Sequence, residues 1–216
     1  MKRHALVIGA TGATGSALVE QLIADDKYDH IHVLQYRITN FDGRPKVISH
    51  VVKLEDILNF RQIGIDDVFC CIGTTIKKAG SKDQFAHVDR DLVIKLGKWA
   101  KIDDVISFHV ISAQGASEDS PFFYNRVKGE MERALTDLNL HSLYIYHPPL
   151  LKAKRKEFRL GERIGIALMD LLGFLMIGSL KKFKALAVEK LASKMIFYAE
   201  KPEQGLHIIS AEELNA

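Results

Sequence analysis

Ala5-Leu6-Val7-Ile8-Gly9-Ala10-Thr11-Gly12-Ala13-Thr14-Gly15 decides the fold. An apolar run leads straight into three glycines spaced three apart, and each glycine has a mechanical job. Gly9 lets the chain turn off the strand. Gly12, with no Cβ, lets the backbone approach a pyrophosphate, and Gly15 lets the following helix pack closely. Ala17, Leu18, Leu22 and Ile23 give that helix an apolar face. Its free N–H groups and positive dipole end then aim at phosphates. Glycine triplets alone are weak, but strand before and helix after are the context a dinucleotide-binding turn requires. The competing reading is a tight strand–helix turn with no ligand.

Working outward, short apolar runs alternate with longer helical stretches. Strands are expected at 5–9, 31–36, 47–52, 68–72, 105–112, 143–146 and 206–209, and helices at 15–24, 82–100, 121–139, 163–180 and 188–199. Continuous apolar strands alternating with helices imply an α/β, doubly wound, mostly parallel sheet covered on both faces. Ligand is expected at the carboxyl ends of the strands. The chain has 216 residues with no repeat, low-complexity tract or linker, so residues 1–216 read as a single domain.

Composition narrows the partners. Thirty Lys and Arg balance 27 Asp and Glu, and the net charge of +3 is too small to imply nucleic acid. The two cysteines, Cys70 and Cys71, are adjacent on an expected strand and point to opposite faces, which argues against an ordinary disulfide. They read as small buried hydrophobes of a reducing compartment, and with no visible signal peptide the expected location is cytoplasmic. Nine histidines show neither a helical His-x-x-x-His pair nor a Cys/His cluster, so no metal is expected.

The end of the second strand selects the nucleotide. An acid there would bind the adenosine ribose and favour NAD, but the sequence reads Gln35-Tyr36-Arg37. The planar fork of Arg37 suits a 2′-phosphate, so the expected cofactor is NADP (NADPH). The competing reading of Arg37 is a solvated loop residue.

A second constellation lies mid-chain. One strand ends at Ser112, and twelve residues later come Tyr124 and Lys128. At i and i+4 these two share a helix face. A tyrosine hydroxyl can protonate a forming alkoxide, and a nearby ammonium favours the phenolate. A strand-end serine can hydrogen-bond a carbonyl oxygen as it gains negative charge, and the cofactor contributes the hydride. Such i, i+4 pairs also occur on solvated helix faces; the order of glycine turn, serine-ended strand and tyrosine helix gives this one its weight.

At these residues the chain resembles the atypical short-chain dehydrogenase/reductases. The blocks Asp67-Val68-Phe69-Cys70-Cys71-Ile72-Gly73-Thr74-Thr75, Lys77-Lys78-Ala79-Gly80-Ser81, Val88-Asp89 and Val127-Lys128-Gly129-Glu130 are similar to the subgroup of the Tat-interacting oxidoreductase-like protein and its bacterial relatives. The resemblance is clear over residues 5–151. It implies a Rossmann fold, NADP and a Ser112/Tyr124/Lys128 triad acting on a small carbonyl substrate. Gly9, Thr11, Gly12, Ala13, Thr14 and Gly15 would hold the pyrophosphate, and Arg37 the adenosine phosphate. Cys71, Ile72, Gly73 and Thr74 would line the cofactor, with Pro148 beside the nicotinamide. The chain departs from the subgroup's pattern at Tyr36-Arg37, where a pair of arginines is usual. It departs again at Ala113, where a second serine is common, and at His147, where an arginine commonly precedes the proline. Some members of the subgroup act as regulators, so an NADPH-binding interaction module is the alternative.

The segment 152–184 is basic at both ends and apolar between. Its 164–180 core holds Asp170 and three glycines, which favours a substrate-side helical region over about 152–200 rather than a membrane span. Membrane contact is not expected; a homodimer or a protein partner is compatible with the same apolar surface.

Overall fold

The computed structural model describes residues 2–62, 64–152 and 185–216. Seven parallel strands form one sheet: β1 (Arg3–Ile8), β2 (Tyr28–Gln35), β3 (Val47–Val51), β4 (Asp67–Cys70), β5 (Ser107–Ile111), β6 (Ser142–Tyr146) and a last strand, Gly205–Ile209, which is β9. Their order is β3-β2-β1-β4-β5-β6-β9, and every pairing is parallel. The expectation of a mostly parallel sheet is met in full. The order reverses direction beside β1, where Ile8 is in register with Leu34 of β2 and Cys70 of β4. That switch point is where a crevice opens between the two halves of a doubly wound sheet.

The inner strands are buried on both faces because helices cover both, while the edge strands β3 and β9 keep exposed positions. On one face Ala5, Val7, Val33, Phe69 and Tyr144 pack against α1 (Ala13–Ala24) and α6 (Val188–Glu200). On the other, Leu6, Ile8, Val68, Cys70, Phe108 and Val110 meet α4 (Leu92–Ile102) and α5 (Phe123–Asp137). The adjacent cysteines do point apart: Cys70 joins the second face, Cys71 packs against the first, and both are free. Burial pushes the Cys70 thiol up to about 12 and raises the Cys71 thiol too, so neither is a ready nucleophile.

Two expectations change, and three short elements add to the expected set. The helix expected over 82–100 is broken into α3 (Lys82–Ala86), a π turn (His87–Asp91) and α4. Apolar periodicity runs through the break, so the sequence pattern hides it. The short α2 (Ile76–Ala79), capped by the Thr75 side chain, a 3-10 turn (Leu54–Asn59) and the terminal α7 (Ala211–Asn215) fall below the length at which periodicity speaks. Finally, α6 was expected on the substrate side. Its Leu191, Ala192 and Met195 are instead core against α1 and the sheet, and its first turn alone reaches the ligand cleft, through Val188 and Glu189. The helix expected over 163–180 lies outside the described residues. A two-residue ribbon, β7 (Leu151–Lys152) with β8 (Leu186–Ala187), brackets that segment.

Candidate active site

A cleft of about 1310 Å³ opens at the carboxyl ends of β1, β2 and β4. Gly9 starts it at φ +81°, and a Cβ there would come within 2.6 Å of the Cys71 carbonyl. A Cβ on Gly15 would overlap the Gly9 carbonyl. The turn is therefore closed on itself by its own backbone, with Gly12 N–H donating to Gly9 O at 2.9 Å. Gly12 caps α1 without a side-chain hydrogen bond, and the first turn holds no acid. The opening N–H groups of α1 are left to an anion, and the dipole adds to the attraction. This cradle fits a pyrophosphate.

Of the residues expected at the cofactor, Gly9, Thr11, Gly12, Ala13, Arg37, Cys71, Ile72 and Gly73 line the cleft. Thr14 and Gly15 are buried in the first turn of α1, Thr74 follows the lining segment, and Pro148 is buried just past β6 away from the cleft. At the end of β2, Gln35 donates to the Asp42 carboxylate and accepts from Thr39 Oγ1, so it braces the loop. Arg37 is exposed and, among the described residues, makes no ion pair. Of the acids that line the cleft, Glu20 and Glu189, Glu20 is held bidentately by Arg44 at 2.7 and 2.8 Å. Sequence reasoning missed Glu20, which sits mid-helix two turns past Gly12, and Lys78, which also lines the cleft.

The second constellation gathers on α5. Tyr124 is 39% exposed, with its ring 5.4 Å from that of Phe85. Lys128, one turn on, is 3% exposed and forms an ion pair with Asp89 at 2.8 Å. Ser112 reaches the same helix differently: its Oγ donates a short hydrogen bond to Glu132, one turn beyond Lys128. His147 Nε2 meets the same Glu132 oxygen at 2.8 Å. A carboxylate only accepts, so both Ser112 and His147 donate to it, and the serine proton faces Glu132. Asp89 and Glu132 are partners that the Ser112/Tyr124/Lys128 pattern lacks. The signal for Glu132 was available: 124, 128 and 132 form one stripe of a helix. Asp89 sits among other polar residues, between His87 and Arg90-Asp91, so spacing alone did not single it out.

Four of the histidines are paired across strands. His4 and His30 lie 3.0 Å apart, His32 and His50 2.9 Å. Burial lowers His32 to about 4 and the fully enclosed His109 to about 3, so both are neutral in the folded chain. Among the described residues no group of three or more His, Cys, Asp or Glu could hold a metal ion, and no helix is long and apolar enough to cross a membrane.

Ser112, Tyr124 and Lys128 do not line the cleft; Asp89 links Lys128 to the backbone next to Gly73, which does. A parallel dinucleotide-type sheet, a glycine cradle at its switch point and a helix carrying Tyr124 and Lys128 define an atypical short-chain dehydrogenase/reductase. Protein HTATIP2 of Rattus norvegicus is 33% identical over 164 residues, covering 74% of this chain and 67% of its own. The chain belongs to that protein's family. The mitochondrial protein FMP52 of Debaryomyces hansenii is 28% identical over 204 residues, 92% of this chain and 88% of the relative. No protein-family model matches. Among solved structures, MoeE5 in complex with UDP-glucose and NAD superposes with a TM-score of 0.70 at 14% identity, over 98% of this chain and 79% of that one. The dTDP-4-dehydrorhamnose reductase of Bacillus anthracis in complex with NADP gives 0.67 at 16%, over 97% and 75%. At such identities the likeness is one of fold.

Proposed function

We propose that the protein is an NADP-dependent oxidoreductase that reduces a small carbonyl compound. The observation that carries the reading is the pairing of the uncapped glycine cradle with a buried ammonium, Lys128, one turn from Tyr124. Lys128 holds the nicotinamide ribose, Tyr124 protonates the forming alkoxide through its hydroxyl, and Ser112 anchors the carbonyl oxygen. Hydride donation is the chemistry the cofactor supplies. Arg37, free of any ion pair among the described residues, receives the 2′-phosphate. The reduced cysteines support a cytoplasmic location; relatives whose name places them in mitochondria make organelle fractionation the check.

One observation favours a second reading, an NADPH-binding regulatory module. The Ser112 proton is directed at Glu132 rather than outward, and Lys128 already has a counter-ion. Titration with NADPH and NADH, followed by nicotinamide fluorescence, comes first. Tighter NADPH binding is expected, and replacing Arg37 by Ala should remove the difference. Tyr124→Phe then separates the two readings: turnover should fall by about a hundredfold or more while NADPH affinity stays put. No turnover by the wild type across a carbonyl panel, with NADPH bound, would leave the regulatory reading standing.

A further inference from the structure

Asp89 stands at the junction of three elements. It lies in the π turn between α3 and α4, a local widening that re-aims a side chain within a helix. Its two carboxylate oxygens take different partners. Oδ1 pairs with Lys128 Nζ of α5 at 2.8 Å, and Oδ2 accepts the Thr74 N–H just past β4 at 2.8 Å. Gly73 lies so close that a Cβ on it would sit 3.4 Å from Oδ1. Val88 and Gly73, the neighbours of these partners in sequence, both line the cofactor cleft.

The Asp89 and Lys128 side chains are 1% and 4% exposed. A buried ion pair gains little stability over a well-packed apolar pair, because both charges lose their water. What it does supply is direction. Lysine carries a long stem with many rotamers, and a carboxylate at its end selects one of them. Among the described residues Lys128 has no second ionic partner, and Asp89 links it to Gly73, which lines the cleft, through the adjoining Thr74 N–H. The other oxygen fixes the backbone that leads out of Cys71–Gly73. One carboxylate thus ties the ammonium to the wall of the cleft.

We propose that Asp89 is a positioning residue that locks Lys128 against the Gly73–Thr74 backbone, so that the nicotinamide half of the cleft is assembled before the nucleotide arrives. This rests on the cofactor reading above. The lock acts on one half of the ligand. The adenosine half is held by the glycine cradle and the end of β2, which Asp89 does not touch.

The test titrates wild type, Asp89→Asn and Lys128→Met with NADPH and, separately, with adenosine 2′,5′-bisphosphate, which lacks the nicotinamide half. Asp89→Asn is expected to weaken NADPH binding about tenfold, since a ligand then pays to order the lysine. Bisphosphate binding should stay within about twofold, because distant sites act independently. The double variant Asp89→Asn with Lys128→Met should bind NADPH no more weakly than Lys128→Met alone, because Asp89 acts only through the lysine. Equal losses for both ligands, no loss for either, or losses that add would overturn the proposal. Should the single variants fail to fold, the apolar pair Asp89→Leu with Lys128→Met keeps the space filled and is expected to show the same split between ligands. Wild type that binds neither ligand removes the cofactor reading instead. The lock is then judged in nucleotide-free protein by hydrogen exchange at the Thr74 amide. Protection should fall in the apolar-pair variant, and unchanged protection overturns the lock as well.

Discussion

The cradle at residues 9–15 and the cluster around α5 are built by opposite means. The cradle is main chain: seven consecutive residues turn under their own hydrogen bonds, and glycine is demanded because backbone occupies the space a Cβ needs. The α5 cluster is side chain. Asp89 reaches Lys128 across 39 positions of sequence, and Glu132 collects Ser112 and His147 from two different strand ends. A contiguous backbone device binds by shape and dipole and holds no titratable group. A side-chain device carries charge, and each charge already has a partner that a ligand must share or displace.

Breaking the cradle should have the largest effect. Gly15→Val drives a branched side chain into the Gly9 carbonyl and the Ala10 backbone, neither of which can swing away. We expect a loss of about 4 kcal/mol in folding stability, read by urea denaturation, together with loss of all nucleotide binding. Wild-type affinity for NADPH in this variant would show that the turn relaxes at no cost and that its glycines are not what shapes the cleft.

Buried side-chain pairs outside the cradle should answer to pH, which the cradle does not. His32 is held at about 4 in the folded protein by burial and by its neighbours His50, His4 and His30. In the unfolded chain it titrates near its ordinary value of 6.5. Between those values the unfolded state binds the extra proton, so stability is full above about 6.5 and falls as pH drops towards 4. The slope is about 1.4 kcal/mol per pH unit for each such histidine, or about 3 kcal/mol for His32 over the whole window. His109, held at about 3, acts in the same direction. Urea midpoints at pH 7, 5.5 and 4.5 check this, with His32→Leu expected to flatten the slope. An unchanged slope would mean that the His32–His50 pair accepts a proton inside the fold.

The same contrast decides what the sequence disclosed. Strand–helix alternation, the glycine turn and the Tyr124/Lys128 stripe depend on spacing within a few residues, and spacing is visible in a string of letters. The histidine pairs depend on register. His4 and His30 become neighbours because β1 and β2 are parallel with those residues aligned, a relation among residues 26 apart. Asp89 was hidden by the π turn, since a helix pattern carried unbroken from 82 to 100 assigns it the wrong face. Gln35 occupies the place of the ribose-binding acid, but its role as a brace for Asp42 needs the fold of the following loop to be seen. Charge pairing across distant elements is the part of a site that local pattern does not encode.

The smallest predicted effect is the sharpest test of how separate the two devices are. Glu132→Gln keeps the shape and one acceptor oxygen, so Ser112 and His147 retain a partner but lose its charge. Hydrogen bonds to a charged group are roughly twice as strong as neutral ones, so the substitution should cost about 1 kcal/mol of stability. NADPH affinity should stay within about twofold, because Glu132 does not line the cofactor cleft and acts at the ends of β5 and β6. Fluorescence titration beside urea denaturation of the same preparation reads both quantities. If affinity falls together with stability, Glu132 reaches the cofactor through Ser112 or through Lys128, its neighbour one turn back. The cradle and the cluster would then be one cooperative site rather than two devices set side by side.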